Sequence, residues 1–229
     1  MKRIVQPEIL DTLPPEDPRA LCSRRDLRRV NSWMGNVEIL VAALVKARLP
    51  SAFSQTRPQV TELGAGDGNF LLQVARKLDW QNVNATLLDQ KKNASAEILA
   101  AFSKLGWRAE AVVADVFDWP QSSEDIVIAN LFLHHFENGR LAELLRVISE
   151  RAKLFIAVEP RRAPLPLFFS RLLWAIGCND VTRHDATVSV RAGFSGEELS
   201  TFWPDKKNWR LTERRTGLFS HLFIAQKTS

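Results

Sequence analysis

Four histidines and a set of acids carry most of the reactive chemistry of this chain. His134 and His135 are adjacent and follow a predicted strand at 126–130. An imidazole with its ordinary pKa of about 6.5 suits the removal of a proton from a phenol or an activated carbon. If a turn begins at this pair, the two rings diverge and only one can face a ligand. His135 is the favoured base; the competing reading has one or both histidines bonded to backbone at a helix start. His184 beside Asp185 is a second candidate, as an oriented base, although adjacent residues rarely face each other. His221 alternates with apolar residues in a late strand and reads as a satisfied core or edge histidine. Arg183 and Arg191 could hold a substrate carboxylate or phenolate, or be solvated. Cys22 and Cys178 are far apart with no C-x-x-C partner, which suggests reduced cytoplasmic thiols, no disulfide and no metal site.

The acids fall in a pattern. Glu62-Leu63-Gly64-Ala65-Gly66-Asp67-Gly68-Asn69 follows a predicted strand and opens a predicted helix, where an α/β sheet binds ligands. Glycines there let the backbone turn tightly and come close to a ligand. Position 69 is Asn, where a dinucleotide fingerprint wants Gly or Ala. Glu62 at the strand end is a poor neighbour for a pyrophosphate and a good one for a cation. Asp89 ends the second strand, where an acid can accept both hydroxyls of a ribose. Asp115 ends the third, placed to accept from an adenine amino group. Each acid alone could be a helix cap or a solvated turn. Together they describe a ligand with a ribose, a positive charge and no phosphate, which is S-adenosylmethionine.

The elements that must hold these residues alternate. Short apolar runs at 60–63, 85–89, 109–115, 126–130 and 154–159 are separated by helical stretches at 68–78, 94–105 and 138–149. Buried apolar strands alternating with helices argue a mostly parallel sheet covered on both faces. Before it come an extended, proline-rich arm over the first 18 residues, two helices between 19 and 49 broken near Met34-Gly35, and a linker from Pro50 to Pro58. After it come an apolar helix at 165–176, a loop, a short helix at 196–202, and an antiparallel hairpin at 210–215 and 221–226. The expected organisation is an N-terminal arm and helical cap at 1–57 and a Rossmann-like domain at 58–229, with a substrate-side insertion at about 161–203.

The run from Glu62 to Gly68, with Asp89, Asp115 and Asp125-Ile126-Val127-Ile128-Ala129-Asn130, resembles the motif series of class I methyltransferases. The resemblance covers about 58 to 160. It implies that Gly64, Ala65 and Gly66 pass beside the methionine part, with Asp67 in the same loop. Asp89 would bind the ribose, with Gln90 beside the adenine; Asp115 and the Val116 backbone would hold the adenine. Asn130, followed by Leu131, would lie near the methionine ammonium group. The segment Leu131-Phe132-Leu133-His134-His135-Phe136 resembles small-molecule methyltransferases related to quinone biosynthesis, as does Arg29-Val30-Asn31-Ser32-Trp33-Met34-Gly35. His184-Asp185, with 189–194 and Glu198-Leu199, resembles bacterial methyltransferases of polyketide and aromatic natural-product pathways. The implied activity is methyl transfer to oxygen or carbon of a small, hydrophobic or aromatic acceptor, without a metal. A non-catalytic partner subunit and an RNA methyltransferase are the alternatives.

Composition narrows the partners. The 229 residues are 45% apolar and 25% charged, an ordinary globular balance. Lys and Arg number 31 against 26 Asp and Glu, a net +5 that is diffuse apart from Arg24, Arg25, Arg28 and Arg29. Those four wrap around a helix rather than forming one stripe, which argues against nucleic acid. The start lacks the apolar core of a secretory signal. The apolar segment at 165–177 is interrupted by Arg171 and is too short to span a bilayer. It reads as a buried helix, a lid over an aromatic substrate built on Phe169 and Trp174, or a weak membrane-surface contact. A homodimer is compatible with all of this.

Overall fold

The computed structural model describes residues 1–14, 16–47, 57–119 and 123–228. Most of the expected linker, 50–56, lies outside them.

Seven strands form one sheet in the order β3-β2-β1-β4-β5-β7-β6. They are β1 (Gln59–Leu63), β2 (Asn84–Asp89), β3 (Arg108–Val113), β4 (Glu124–Asn130), β5 (Ala152–Pro160), β6 (Trp209–Thr216) and β7 (Ser220–Lys227). The first five pair in parallel; β7 runs antiparallel to both β5 and β6. The late hairpin therefore inserts its second strand beside β5 and leaves β6 at the edge. Strand β5 is buried along nearly its whole length, as a central strand covered on both faces must be.

One face is covered by α3 (Asn36–Lys46), α4 (Asn69–Lys77) and α5 (Ala96–Lys104), with Leu40, Leu71 and Phe102 buried against Ile128 and Ile156. The other is covered by α6 (Asn138–Arg151) and α9 (Glu198–Phe202), around Leu144, Phe155, Trp203 and Phe223. The chain reverses direction at the β1–β4 boundary of the sheet order, so a crevice opens at the carboxyl ends of these strands. The acids picked out above stand along it.

The substrate side differs from the sequence reading in three ways. The expected loop after 177 contains α8 (Asp180–Ala192). Its β-branched residues weaken the local helix signal, but Val181, Asp185, Val188 and Ala192 recur on one buried face. Its start is capped by Asn179, which accepts from the Thr182 N–H at 2.8 Å. Second, the arm is not extended throughout. Asp185 accepts the N–H groups of Ile9 and Leu10 and seeds one turn, α1 (Ile9–Thr12). Third, the apolar helix ends early: α7 spans Pro164–Arg171, and a 3-10 turn, Leu173–Ile176, follows. Leu165, Phe168, Phe169, Leu172 and Trp174 are exposed, which excludes a buried core helix.

Helix α2 (Pro18–Met34) joins this layer through Asp26. That carboxylate is buried; it accepts the Asn179 N–H at 2.9 Å and the Thr182 hydroxyl at 3.3 Å, and pairs with Arg29. Removing it leaves the Asn179 N–H without its partner and Thr182 with only the Ser23 hydroxyl, at 2.9 Å. Asp26→Ala is expected to lower unfolding free energy by about 2–3 kcal/mol, read as a lower urea midpoint at unchanged slope.

Candidate active site

The crevice widens into a cavity of about 990 Å³. Its inner end is built from strand termini. The loop after β1 is tied to the end of β2 by two hydrogen bonds: Ala65 N–H to the Leu88 carbonyl at 3.1 Å, and Gly66 N–H to Asp89 Oδ2 at 2.8 Å. Asp89 Oδ1 accepts from the Lys91 N–H at 2.8 Å. Each oxygen keeps a second lone pair, and Asp89 lines the cavity. Gly66 has φ +56°, and a Cβ there would meet nothing within 4 Å, so the backbone itself faces open space. At Gly64 a Cβ would come within 2.2 Å of the Phe132 ring, so only glycine lets that ring close on the loop.

Glu62 lines the cavity at 2% exposure, with Oε2 lacking any hydrogen-bond partner. Burial, and then the charges of Asp67 and Asp89, push its carboxyl well above the usual range, against a single backbone hydrogen bond from Leu71. A buried acid left with an open oxygen beside two further acids is a seat for a cation. Asn130 also faces the cavity, and its side-chain oxygen accepts from Asn36 Nδ2 at 2.9 Å. Buried Asn36 accepts in turn from the Ser220 hydroxyl at 2.7 Å. Leu131 follows with φ +52°, a conformation costly for a branched residue and common where a site dictates the backbone.

The other residues singled out in the sequence are placed as follows. Ala65, Asp67, Gln90 and Val116 line the cavity. Asp67 also caps α4 through the Asn69 N–H and pairs with Arg28 at 3.3 Å. Asp115 is outside the lining, accepting from Gln90 Nε2 at 2.8 Å and from the Phe117 N–H. His184 is also outside it, with half its side chain exposed and Nδ1 on Asp185 at 2.9 Å. His221 is buried on Glu213 at 2.8 Å, a satisfied core histidine as read from the sequence.

The histidine pair is held by residues the sequence reading passed over. Glu159, fully buried at the end of β5, accepts the N–H groups of Phe132, Leu133 and His134 and receives His134 Nδ1 at 2.9 Å. It thereby caps the 3-10 turn Leu133–His135. His134 Nε2 meets Glu8 of the arm at 3.3 Å, and Glu8 also accepts from the Ser189 hydroxyl. Burial alone would lower the His134 pKa, but hydrogen bonds and charge from Glu159 and Glu8 raise it to about 9. Burial alone would raise Glu8; the hydrogen bond and charge of His134 bring it down to about 2. His134 is thus held as a cation between two carboxylates. His135 stacks on it with ring centroids 4.3 Å apart and places Nδ1 3.5 Å from Asp11 Oδ2. Burial, then the His134 charge, push the His135 pKa below 6.5. The signal for Glu159, Glu8 and Asp11 was faint: single acids at a strand end and in a proline-rich arm.

The shifts fix a pH window. The raised His134 pKa contributes stability fully present below 6.5 and lost as pH climbs through about 9. The depressed Glu8 pKa contributes stability present above 4.5 and lost as pH falls through about 2. Thermal stability is expected to peak between 4.5 and 6.5. His134→Gln is expected to flatten the alkaline limb, worth on the order of 3 kcal/mol, in scans from pH 5 to 10.

Residues 60–153 match a family model described as a methyltransferase domain. No curated protein sequence matches. Among solved structures, the plantazolicin methyltransferase BpumL in complex with SAH is similar over 93% of this chain and 92% of its own, at 13% identity and a TM-score of 0.64. An O-methyltransferase family protein from Burkholderia thailandensis is similar over 93% of this chain at 20% identity and a TM-score of 0.61. The mitomycin 7-O-methyltransferase MmcR is similar over 95% at 20% identity and 0.57. The chain spans about three fifths of the length of these last two, 61% and 60%. The matched segment runs from β1 into β5 and contains the glycine loop, Asp89 and the open Glu62 carboxyl, all on the expected mostly parallel sheet. The chain has the class I Rossmann-like methyltransferase fold, and its residues 60–153 match a methyltransferase domain.

Proposed function

We propose that this enzyme methylates an oxygen or carbon of a small, hydrophobic, aromatic or polyketide-like acceptor, with His135 as the base. The observation that carries the cofactor side is the buried Glu62 carboxyl in the cavity wall, with one oxygen unpartnered and the charges of Asp67 and Asp89 acting on it. In this reading Asp89 binds the ribose, with Gln90 beside the adenine. Asp115 acts through Gln90, which it fixes, and the Val116 backbone closes the adenine pocket. Gly64, Ala65 and Gly66 pass the methionine part, and Glu62 and Asn130 face its ammonium group. When bound, S-adenosylmethionine supplies a methyl group on a sulfonium, an excellent leaving group. The protein's task is then to align a nucleophile and take its proton, and alignment can contribute roughly 7–11 kcal/mol of the barrier.

His135 fits the proton task. It lines the cavity, its low pKa keeps it neutral near pH 7, and Asp11 holds its Nδ1 side. Apolar walls from Phe136, Phe169, Leu172 and Phe219 favour a hydrophobic acceptor. The similar structures include a plantazolicin methyltransferase and a mitomycin 7-O-methyltransferase, which supports a small-molecule acceptor. We read 58–229 as the catalytic domain, 161–203 as its substrate-side insertion and 1–57 as its cap, with α7 as a lid through Phe169.

Calorimetric titration with S-adenosylmethionine and S-adenosylhomocysteine is the first test. Asp89→Ala is expected to weaken both by about 100-fold or more; absence of binding to the wild type would overturn the cofactor assignment. His135→Ala should keep cofactor affinity and lose roughly 10²–10⁴-fold in kcat on a phenolic acceptor. In the wild type the rate should rise with pH and level off above a midpoint below 6.5. Full turnover by the variant would remove His135 from the role. Phe169→Ala should raise acceptor KM, while loss of thermal stability alone would defeat the lid.

A further inference from the structure

The outer end of the cavity has an unusual surface. From α7 and the turn after it, Phe168 is 57% exposed and Trp174 60%, with Leu165, Phe169 and Leu172 beside them. Trp33, in the last turn of α2, is 62% exposed. Scattered surface hydrophobics need no explanation, but a contiguous group does. Here Trp33, Phe169 and Leu172 line the same cavity, the Phe168 and Phe169 rings pack edge-on at 5.7 Å, and Trp174 follows in the adjoining turn. Arg29 ties α2 to the turn by donating to the Ile176 carbonyl at 2.8 Å.

The two segments that carry these rings expose charge of one sign. Residues 164–177 contain no carboxylate, and their one charged residue, Arg171, is exposed. Inside α2 the one acid, Asp26, is buried and bound to α8, while Arg25, Arg28 and Arg29 are exposed. Arg28 and Arg29 hold Asp67 and Asp26 at 3.3 and 3.4 Å and still present much of their guanidinium surface. Tryptophan and phenylalanine beside arginines, with no exposed acid in either segment, match the boundary between anionic headgroups and acyl chains. The same rim fits a second copy of itself poorly, since a two-fold contact would bring arginines opposite arginines. Among the described residues no helix is long and apolar enough to cross a membrane, so contact is at the surface.

We propose that the cavity mouth docks on an anionic lipid bilayer, with Trp33, Phe168 and Trp174 in the headgroup–acyl boundary and Arg25 and Arg171 on lipid phosphates. A hydrophobic acceptor dissolved in the membrane then reaches the cavity without crossing water. This delivery rests on the small-molecule reading above; the docking does not, and it is measured without acceptor.

The full chain is sedimented with phosphatidylcholine vesicles with or without phosphatidylglycerol, at low and high salt. The expected result is binding that is roughly tenfold tighter with phosphatidylglycerol and weakened by salt. Phe168→Glu with Trp174→Glu should reduce it about 100-fold while cofactor affinity, which reports folding, is kept. Arg25→Glu with Arg171→Glu should abolish the preference for phosphatidylglycerol. Wild-type protein that stays in solution with anionic vesicles overturns the proposal, as does equal binding by the Glu variants. So does a lipid-free dimer that the Phe168→Glu, Trp174→Glu variant splits into monomers, or the same arginine-dependent binding to RNA but not to vesicles.

Discussion

The carboxylate of Glu159 holds together the side of the cavity formed by the turn after β4 and the N-terminal arm. It is fully buried and takes three successive backbone N–H groups and the His134 ring. A buried anion persists only where such donors compensate its lost hydration. Those donors come from the segment after β4, so the residue fixes the turn that carries Phe132 and His135. Phe132 closes on Gly64, while His135 stacks against the fixed His134 cation. Through His134 the same chain of charges reaches Glu8 and holds the arm over the cavity. Loss of Glu159 would therefore loosen the Phe132–Gly64 contact, the histidine pair and the N-terminal arm together.

The two ends of the cavity use opposite electrostatics. At the inner end Glu62, Asp67 and Asp89 crowd together, and the cost is visible in the raised Glu62 pKa. A fold built for stability alone would place an apolar residue at the end of β1, since an unmade hydrogen bond on a buried acid costs about 1–3 kcal/mol. Retaining the acid makes sense if a cation completes the site. At the histidine pair the field is balanced instead: His134 is paired on both sides, and its remaining influence is to keep its neighbour neutral.

How legible all this was in the sequence depended on the range of the interactions. The alternating strands and the Glu62–Gly68 loop were readable because periodicity and glycine placement are local properties. Asp89 was readable from its position at a strand end. Helix α8 was not, because its β-branched residues obscure the local signal and its stability comes from packing one face against α2 and α7. Glu159, Glu8 and Asp11 were not readable as a group either. They are separated by up to 151 positions, and only the fold brings them to one pair of rings. His184 and Asp185 do pair, at 2.9 Å, but outside the cavity lining, and the second task of Asp185, holding the start of α1 far along the chain, could not be read from their adjacency.

The arm depends on the same charges. It is short, begins at the chain's first residues, and yet contributes Glu8, Leu10 and Asp11 to the cavity wall. It is fastened by polar contacts: Arg3 to the Ala192 and Phe136 carbonyls, Asp185 to the α1 backbone, Glu8 to His134. Apolar packing on this side is thin, since α1 buries no residue. A segment held by a few directional bonds opens at lower free energy than one held by a core. The arm's Glu8 and Asp11 contacts both end on the histidine pair, at 3.3 Å and 3.5 Å. The place of Asp11 beside His135 is then tied to the same buried charges, Glu159, His134 and Glu8, that fix the turn after β4.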